Sequence, residues 1–322
     1  MYINTEALLR ALPDIPEILA KLQSGEYVLH GGVVRHAAGS EKGGRIIGHL
    51  LFPGDSLQTQ ESLQKLQSTL TDGLGSLQNG MGQLQQSMST LQSLQSANLV
   101  MSGLNLAVTT AGFVIVCRKL NKISEQIQAQ SVAIAKTFDV VKELHERSLL
   151  ADEAQFRSLL SAAGQFCERG DVEPLKGLIA PFHKEYQFTK LILERHALEA
   201  ISNIERLSEI TLLQDRLVNL GLVMSHVQMR IGAVKYSRDC LAQLGSDLVG
   251  LNTQRVEALS REGDVASRIT QTHFADLTTF LQQGKKMMPA LTYQADVIDL
   301  EVRHPGLLQR ASESKEILMI AA

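Results

Sequence analysis

The chain has no tryptophan, and aromatic residues make up only 4% of it, although hydrophobic residues make up 44%. Its apolar residues are therefore mostly leucine, alanine, valine and isoleucine. Aliphatic side chains interdigitate well between helices, so this composition favours helix-on-helix packing over a β-sandwich or an α/β domain. The 322 residues are enough for two domains or for one elongated domain.

The sequence lacks the residues that several classes of function require. The formal net charge is −3 and no stretch is basic, which argues against nucleic acid as a partner. The motifs HExxH, GxSxG, GxxxxGK[ST] and GxGxxG do not occur. We therefore expect no enzyme, no cofactor and no small-molecule substrate.

Cysteines are few, and the amino terminus has no apolar signal. Cys117, Cys167 and Cys240 are odd in number, far apart and outside any CxxC pattern, so we expect free thiols and no zinc site. Charged residues interrupt the first 22 residues before an apolar core of a signal peptide can form. We expect synthesis in the cytoplasm, with a soluble form, a membrane-associated form or both.

Charge is missing altogether from Gly73 to Cys117, although 20% of the chain is charged. The last part of this uncharged segment, Leu99–Cys117, has nearly the 20 apolar residues that span a bilayer. Gly103, Ala107 and Ala111 have the spacing that allows close helix packing in lipid. The alternative is a helix buried in a soluble bundle. The residues predicted to enter the membrane are Leu99, Val100, Leu104, Leu106, Val108, Phe113, Val114, Ile115 and Val116.

The first part of the uncharged segment is rich in glutamine and serine. Leucine and methionine recur there in steps of three and four, which is a heptad pattern. If this part inserts together with Leu99–Cys117 as a hairpin, neutral polar side chains suit a water-filled lumen because no full charge has to leave water. The predicted lumen-facing residues are Asn79, Gln85, Ser89 and Gln92. The alternative is a low-complexity linker or a solvated coiled-coil face.

A short β-rich region precedes these helical patterns. The runs 26–36 and 45–52 are β-branched and flank a polar turn, so they predict a β-hairpin with a bulge at Gly31-Gly32. His30, His36 and His49 lie in it, but their spacing fixes no tetrahedral metal site. We take residues 1–55 as a small α/β module and residues 56–322 as the helical domain.

Two long helical patterns dominate the rest of the chain, Leu84–Leu150 and Glu185–Arg261. As single helices they would be about 100 and 110 Å long, which predicts two antiparallel rods in one bundle. The second carries an apolar seam from Ile210 to Leu251 that only Arg238 breaks. Shorter helices are expected at Asp152–Glu168 and at Asp264–Lys285. The predicted fold is mainly α: an elongated antiparallel helical bundle, or coiled-coil rods, with a small N-terminal β-hairpin module.

The paired rods and the apolar run Leu99–Cys117 resemble the α-helical pore-forming toxins of the cytolysin A and haemolysin BL kind. The resemblance covers residues 56–290 in pattern and includes no family signature; the hairpin, the glutamine-rich tract and the missing signal peptide depart from it. It implies a toxin-like protein that oligomerises and forms a pore in a lipid bilayer through a transmembrane helix. The alternative is a non-enzymatic coiled-coil scaffold or a membrane-anchored structural protein.

Overall fold

The computed structural model describes residues 9–30, 32–53, 155–156, 158–167 and 169–321, with a few positions between 58 and 68. These residues fall into two compact units: one combines the N-terminal part with residues 292–321, and the other comprises residues 155–291. The described structure is mainly helical and contains one small antiparallel sheet. This confirms the mainly α prediction. The boundary predicted at residue 55, between the module 1–55 and the domain 56–322, lies outside the described residues and stays a prediction.

The first unit is built on a five-stranded antiparallel sheet with the order β1-β5-β4-β3-β2. Helix α1, Pro16–Gln23, lies between β1 and β2 in the chain. Buried aliphatic residues in β3 and β4, including Val34 and Leu50, give the sheet its core. The strands are β1 Leu9–Ala11, β2 Tyr27–His30, β3 Val33–His36, β4 Ile46–Leu51 and β5 Leu318–Ala321.

The predicted β-hairpin is present but contains three strands instead of two. His30 pairs with Val33, so the chain reverses between these two residues, where the sequence predicts a bulge within one strand. Gly32 has a φ of +80°, and a Cβ at this position would lie 2.7 Å from the ring of Tyr293. Only glycine fits both the backbone and the close approach.

The C-terminal strand β5 was not predicted. It lies between β1 and β4, with Ile320 opposite both Leu9 and His49. The two ends of the described chain therefore meet in one sheet.

Among the described residues of the second unit, three long helices pack together: α2 Val172–Leu198, α4 Leu207–Arg230 and α5 Val234–Arg261, with the short α3 Ala200–Glu205 between α2 and α4. Each long helix packs against the other two. The single rod predicted from Glu185 to Arg261 is therefore wrong.

Glycine explains the sharpest break in that rod. Gly232 has a φ of 78°; its N–H donates to the carbonyl of Met229 (3.0 Å), and the next N–H, of Ala233, donates to Gln228 (2.9 Å). This is the Schellman motif that ends helices. Because only three residues separate α4 from α5, the predicted seam folds back on itself as an antiparallel hairpin.

Two further helix predictions have opposite outcomes. The helix predicted at Asp152–Glu168 is confirmed over residues 158–167, and Gly170 ends it with a positive φ of 74°. The helix predicted at Asp264–Lys285 is wrong at both ends, because α7 runs from Gln271 to Arg303 through Pro289. Two further short helices are α6 Gly263–Ala266 and α8 Leu307–Glu313. The first predicted rod, Leu84–Leu150, lies outside the described residues.

Candidate functional site

The residues predicted to act in a membrane all lie outside the described residues. They are the inserting set from Leu99 to Val116, the packing set Gly103, Ala107 and Ala111, and the lumen-facing set Asn79, Gln85, Ser89 and Gln92. Of the helices that the structure describes, none combines the length and the apolar character needed for a membrane span. Within the same residues, no group of three histidine, cysteine, aspartate or glutamate side chains is arranged to hold a metal ion.

Buried polar residues join the helices of the second unit, and Asp247 on α5 is at the centre of one cluster. Its Oδ2 accepts a hydrogen bond from Tyr186 Oη (2.8 Å), and its Oδ1 accepts from Gln243 Nε2 (2.8 Å). Lys190 Nζ lies 2.9 Å from the same Oδ1. Tyr186 and Lys190 are one turn apart on α2, so both reach the same carboxylate.

The Asp247 cluster provides no general base from its tyrosine or its lysine. Burial, together with the hydrogen bond to Asp247, raises the pKa of the Tyr186 phenol. The hydrogen bond to Asp247 raises the pKa of Lys190. Near neutral pH the tyrosine therefore keeps its proton and the lysine its charge, so neither serves as a general base. The cluster ties α2 to α5.

A second polar contact ties α2 to α4. Arg216 Nη2 donates to Glu185 Oε2 over 2.7 Å, and both side chains are largely buried. The Arg216 guanidinium also lies 4.6 Å from the ring centroid of Phe156. A buried pair of this kind adds little net stability, but it penalises any packing that separates the two charges.

Among the described residues, neither Cys167 nor Cys240 forms a disulfide. Cys167 is buried, and burial raises the pKa of Cys240 to about 11. A thiol with a raised pKa is a weak nucleophile near neutral pH. Cys117 lies outside the described residues.

Arg255 on α5 is a functional candidate that the sequence analysis missed. Its side chain is fully buried, and its Nη1 donates to Gln214 Oε1 (3.0 Å) and Asn252 Oδ1 (2.8 Å). The guanidinium lies 4.9 Å from the ring centroid of Phe280. Burial lowers the pKa of Arg255 to about 10, which leaves it charged at neutral pH.

A groove of about 440 Å³ lies beside this arginine, between α5 and α7. Its walls are mostly apolar, with Leu248, Val249 and Val256 on α5 and Leu281 and Met288 on α7. The available sequence signal was the position of Arg255: it comes four residues after Leu251, the last residue of the predicted seam, and so continues the buried stripe. Arg238, the predicted break in the seam, is instead half-exposed and lies 3.8 Å from Asp239.

No protein-family model, curated protein or solved structure matches this chain. The functional argument therefore depends on the residues of the chain itself, and the likeness to cytolysin A-type toxins stays a prediction.

Proposed function

We propose that this protein acts on membranes, and that its uncharged segment, Gly73–Cys117, enters the bilayer as part of an oligomeric pore. One observation carries the proposal. At the overall charged fraction of 20%, a stretch of 45 residues would hold about nine charged side chains (0.20 × 45), and this one holds none. A lysine, arginine or aspartate at the centre of a membrane helix costs about 2.5–3.5 kcal/mol on insertion scales, so their absence removes the main barrier to insertion.

The segment is also long enough to cross the membrane twice. Its glutamine-rich part, residues 73–96, is longer than the about 20 residues that a single crossing needs, and its apolar part, Leu99–Cys117, falls just short of that length. Arg118 and Lys119 follow immediately, and positive residues favour the cytoplasmic side. A hairpin keeps both of its ends on that side, so the N-terminal sheet does not have to cross the bilayer.

The predicted pore places the two parts in different roles. Leu99–Cys117 faces lipid, and its Gly103, Ala107 and Ala111 let neighbouring helices approach closely. The residues predicted to line the lumen are neutral and polar, so they can contact water both before insertion and in the lumen of the inserted pore. They are Asn79, Gln85, Ser89 and Gln92. Several copies are needed because one hairpin cannot enclose a channel.

Dye release from liposomes, combined with mass measurement by size-exclusion chromatography, tests this proposal. We expect the purified protein to bind liposomes, to release the dye and to form a larger species when lipid is present. Protein that never binds liposomes would contradict the proposal.

A helical scaffold is the second candidate, and an exposed apolar stripe on α2 favours it. Phe188, Leu191 and Leu198 are 47%, 62% and 63% exposed and recur at steps of three and seven residues. That spacing is typical of a coiled-coil seam. A protein that self-associates in solution and leaves liposomes intact would favour this role, and weaker association of Leu191→Glu would place the contact on α2.

A further inference from the structure

The groove between α5 and α7 has an unusual neighbour, a buried positive charge that no carboxylate of the described residues pairs with. Arg255 is fully buried, and its two hydrogen-bond acceptors are the neutral amides of Gln214 and Asn252. Its Nε and Nη2 find no acceptor among the described residues. A buried charge without a counter-ion is costly, and each donor left unsatisfied adds to that cost.

The side-chain amides of Gln214 and Asn252 connect Arg255 to α7, because they direct their hydrogen-bond donors towards that helix. A guanidinium only donates hydrogen bonds, so Gln214 and Asn252 must turn their oxygens to it and their NH₂ groups away. Those NH₂ groups point towards Gly284: a Cβ built there would lie 2.9 Å from Asn252 Nδ2 and 4.0 Å from Gln214 Nε2. Because residue 284 is glycine, α7 can approach these two donors without a clash from a side chain.

The groove opens from this point and is lined by both Asn252 and Gly284. The charged residues in its lining are Glu257, which Arg261 binds at 3.1 Å, and Lys285. Neither of them compensates Arg255: Lys285 is itself positive, and Glu257 has its own partner. The remaining lining is mostly aliphatic, and a volume of about 440 Å³ is within the range of small-molecule pockets.

We infer that this groove binds a free alkyl carboxylate, whose head accepts hydrogen bonds from the Asn252 amide and whose chain lies along the apolar walls. The negative head group of the ligand acts as a counter-ion for Arg255. Charge-assisted hydrogen bonds to a carboxylate are the strongest that such donors make. The aliphatic lining selects a chain over a small anion such as acetate.

Isothermal titration calorimetry of the full chain with decanoate, below its micelle concentration, tests the site. We expect one saturable site per chain. Decyltrimethylammonium, which has the same chain and a positive head, should not bind, and acetate should bind far more weakly than decanoate. No binding of decanoate, or equal binding of either control compound, would overturn the inference.

Substitutions locate the binding. Arg255→Met keeps a side chain of similar volume but removes the positive charge. Without the attraction of the guanidinium for the carboxylate, directly at long range and through the amides, decanoate binding should weaken about tenfold or more. Asn252→Leu should weaken binding similarly and serves as the second variant if Arg255→Met does not fold. Unchanged affinity in a folded form of either variant would overturn the inference.

Two glycine substitutions provide a matched pair. Gly284→Ala places a methyl group against the Asn252 amide and should weaken decanoate binding, whereas Gly250→Ala on α5, where a Cβ meets nothing within 4 Å, should leave it unchanged. Equal effects of the two substitutions would overturn the inference.

Discussion

Replacing Gly221 with alanine tests the close packing of α4 on α5. Gly221 is in the middle of α4, where glycine is less favourable than alanine by about 1 kcal/mol. A methyl group at this position would lie 2.8, 3.2 and 3.3 Å from Leu244 Cδ2, Cβ and Cδ1 on α5. Ordinary carbon–carbon contacts are about 3.5–4.0 Å. Leu244 can rotate its methyl groups away, but its Cβ is fixed by the backbone, so the helices must separate.

Two opposing effects set the change in the free energy of unfolding that Gly221→Ala should cause. Overpacking a well-filled core costs about 1–3 kcal/mol, and the better helix propensity of alanine returns about 1 kcal/mol. We expect Gly221→Ala to lower the free energy of unfolding by up to about 2 kcal/mol. Gly250→Ala gains the same propensity without a clash and should raise it by about 1 kcal/mol.

Urea unfolding followed by far-UV circular dichroism compares the two variants, provided that their m-values match that of the native protein. The difference between them isolates the packing term, because the propensity gain is common to both. If Gly221→Ala stabilises the protein as much as Gly250→Ala does, α4 and α5 are not as close as the structure places them, and the helical hairpin is wrong.

Two further substitutions test the sheet unit and a buried carboxyl group. Tyr293→Phe removes the hydrogen bond of 2.5 Å from the Tyr293 hydroxyl to the carbonyl of Leu50. It should cost about 1–3 kcal/mol, seen as faster hydrogen exchange at β4, and unchanged exchange would contradict the contact. Burial raises the pKa of Asp215 to about 6 from an ordinary value of 3.8. The folded protein therefore binds more protons than the unfolded chain between about pH 4 and 6, so this group lowers stability as pH rises through that window. Asp215→Asn should raise the free energy of unfolding by about 3 kcal/mol at pH 7 and by less than about 1 kcal/mol near pH 4; a gain that does not depend on pH would refute the shift.

The heptad pattern predicted which residues are buried better than it predicted the path of the chain. Ile210, Leu217, Leu220 and Leu244 are all buried, as the seam requires. The pattern continues through Val227, Ile231 and Val234 without a change of spacing, so it is the same for one straight helix and for two helices folded back on each other. The turn depends on Gly232, whose positive φ no periodicity reveals.

The other differences have local causes. The C-terminal residues Leu318–Ala321 form too short an apolar run for its period to separate strand from helix, and their partners in β1 and β4 are remote in the sequence. Pro289 predicted a helix end because it removes one backbone donor, yet α7 continues through it to residues such as Ile298 and Leu300, whose burial offsets that loss. The Arg255 site depends on side chains from three helices, so no local sequence pattern contains it.

Liposome flotation of Val108→Arg tests the central claim most directly, that the uncharged segment Gly73–Cys117 inserts into a bilayer. Arginine at the centre of a membrane helix costs about 2.5–3.5 kcal/mol, so we expect the variant to remain helical and to lose most of its binding to liposomes. Val302→Arg, at an α7 position that is 52% exposed, is the matched control and should float as the native protein does. A folded Val108→Arg protein that floats as fully as the control would contradict insertion through this segment.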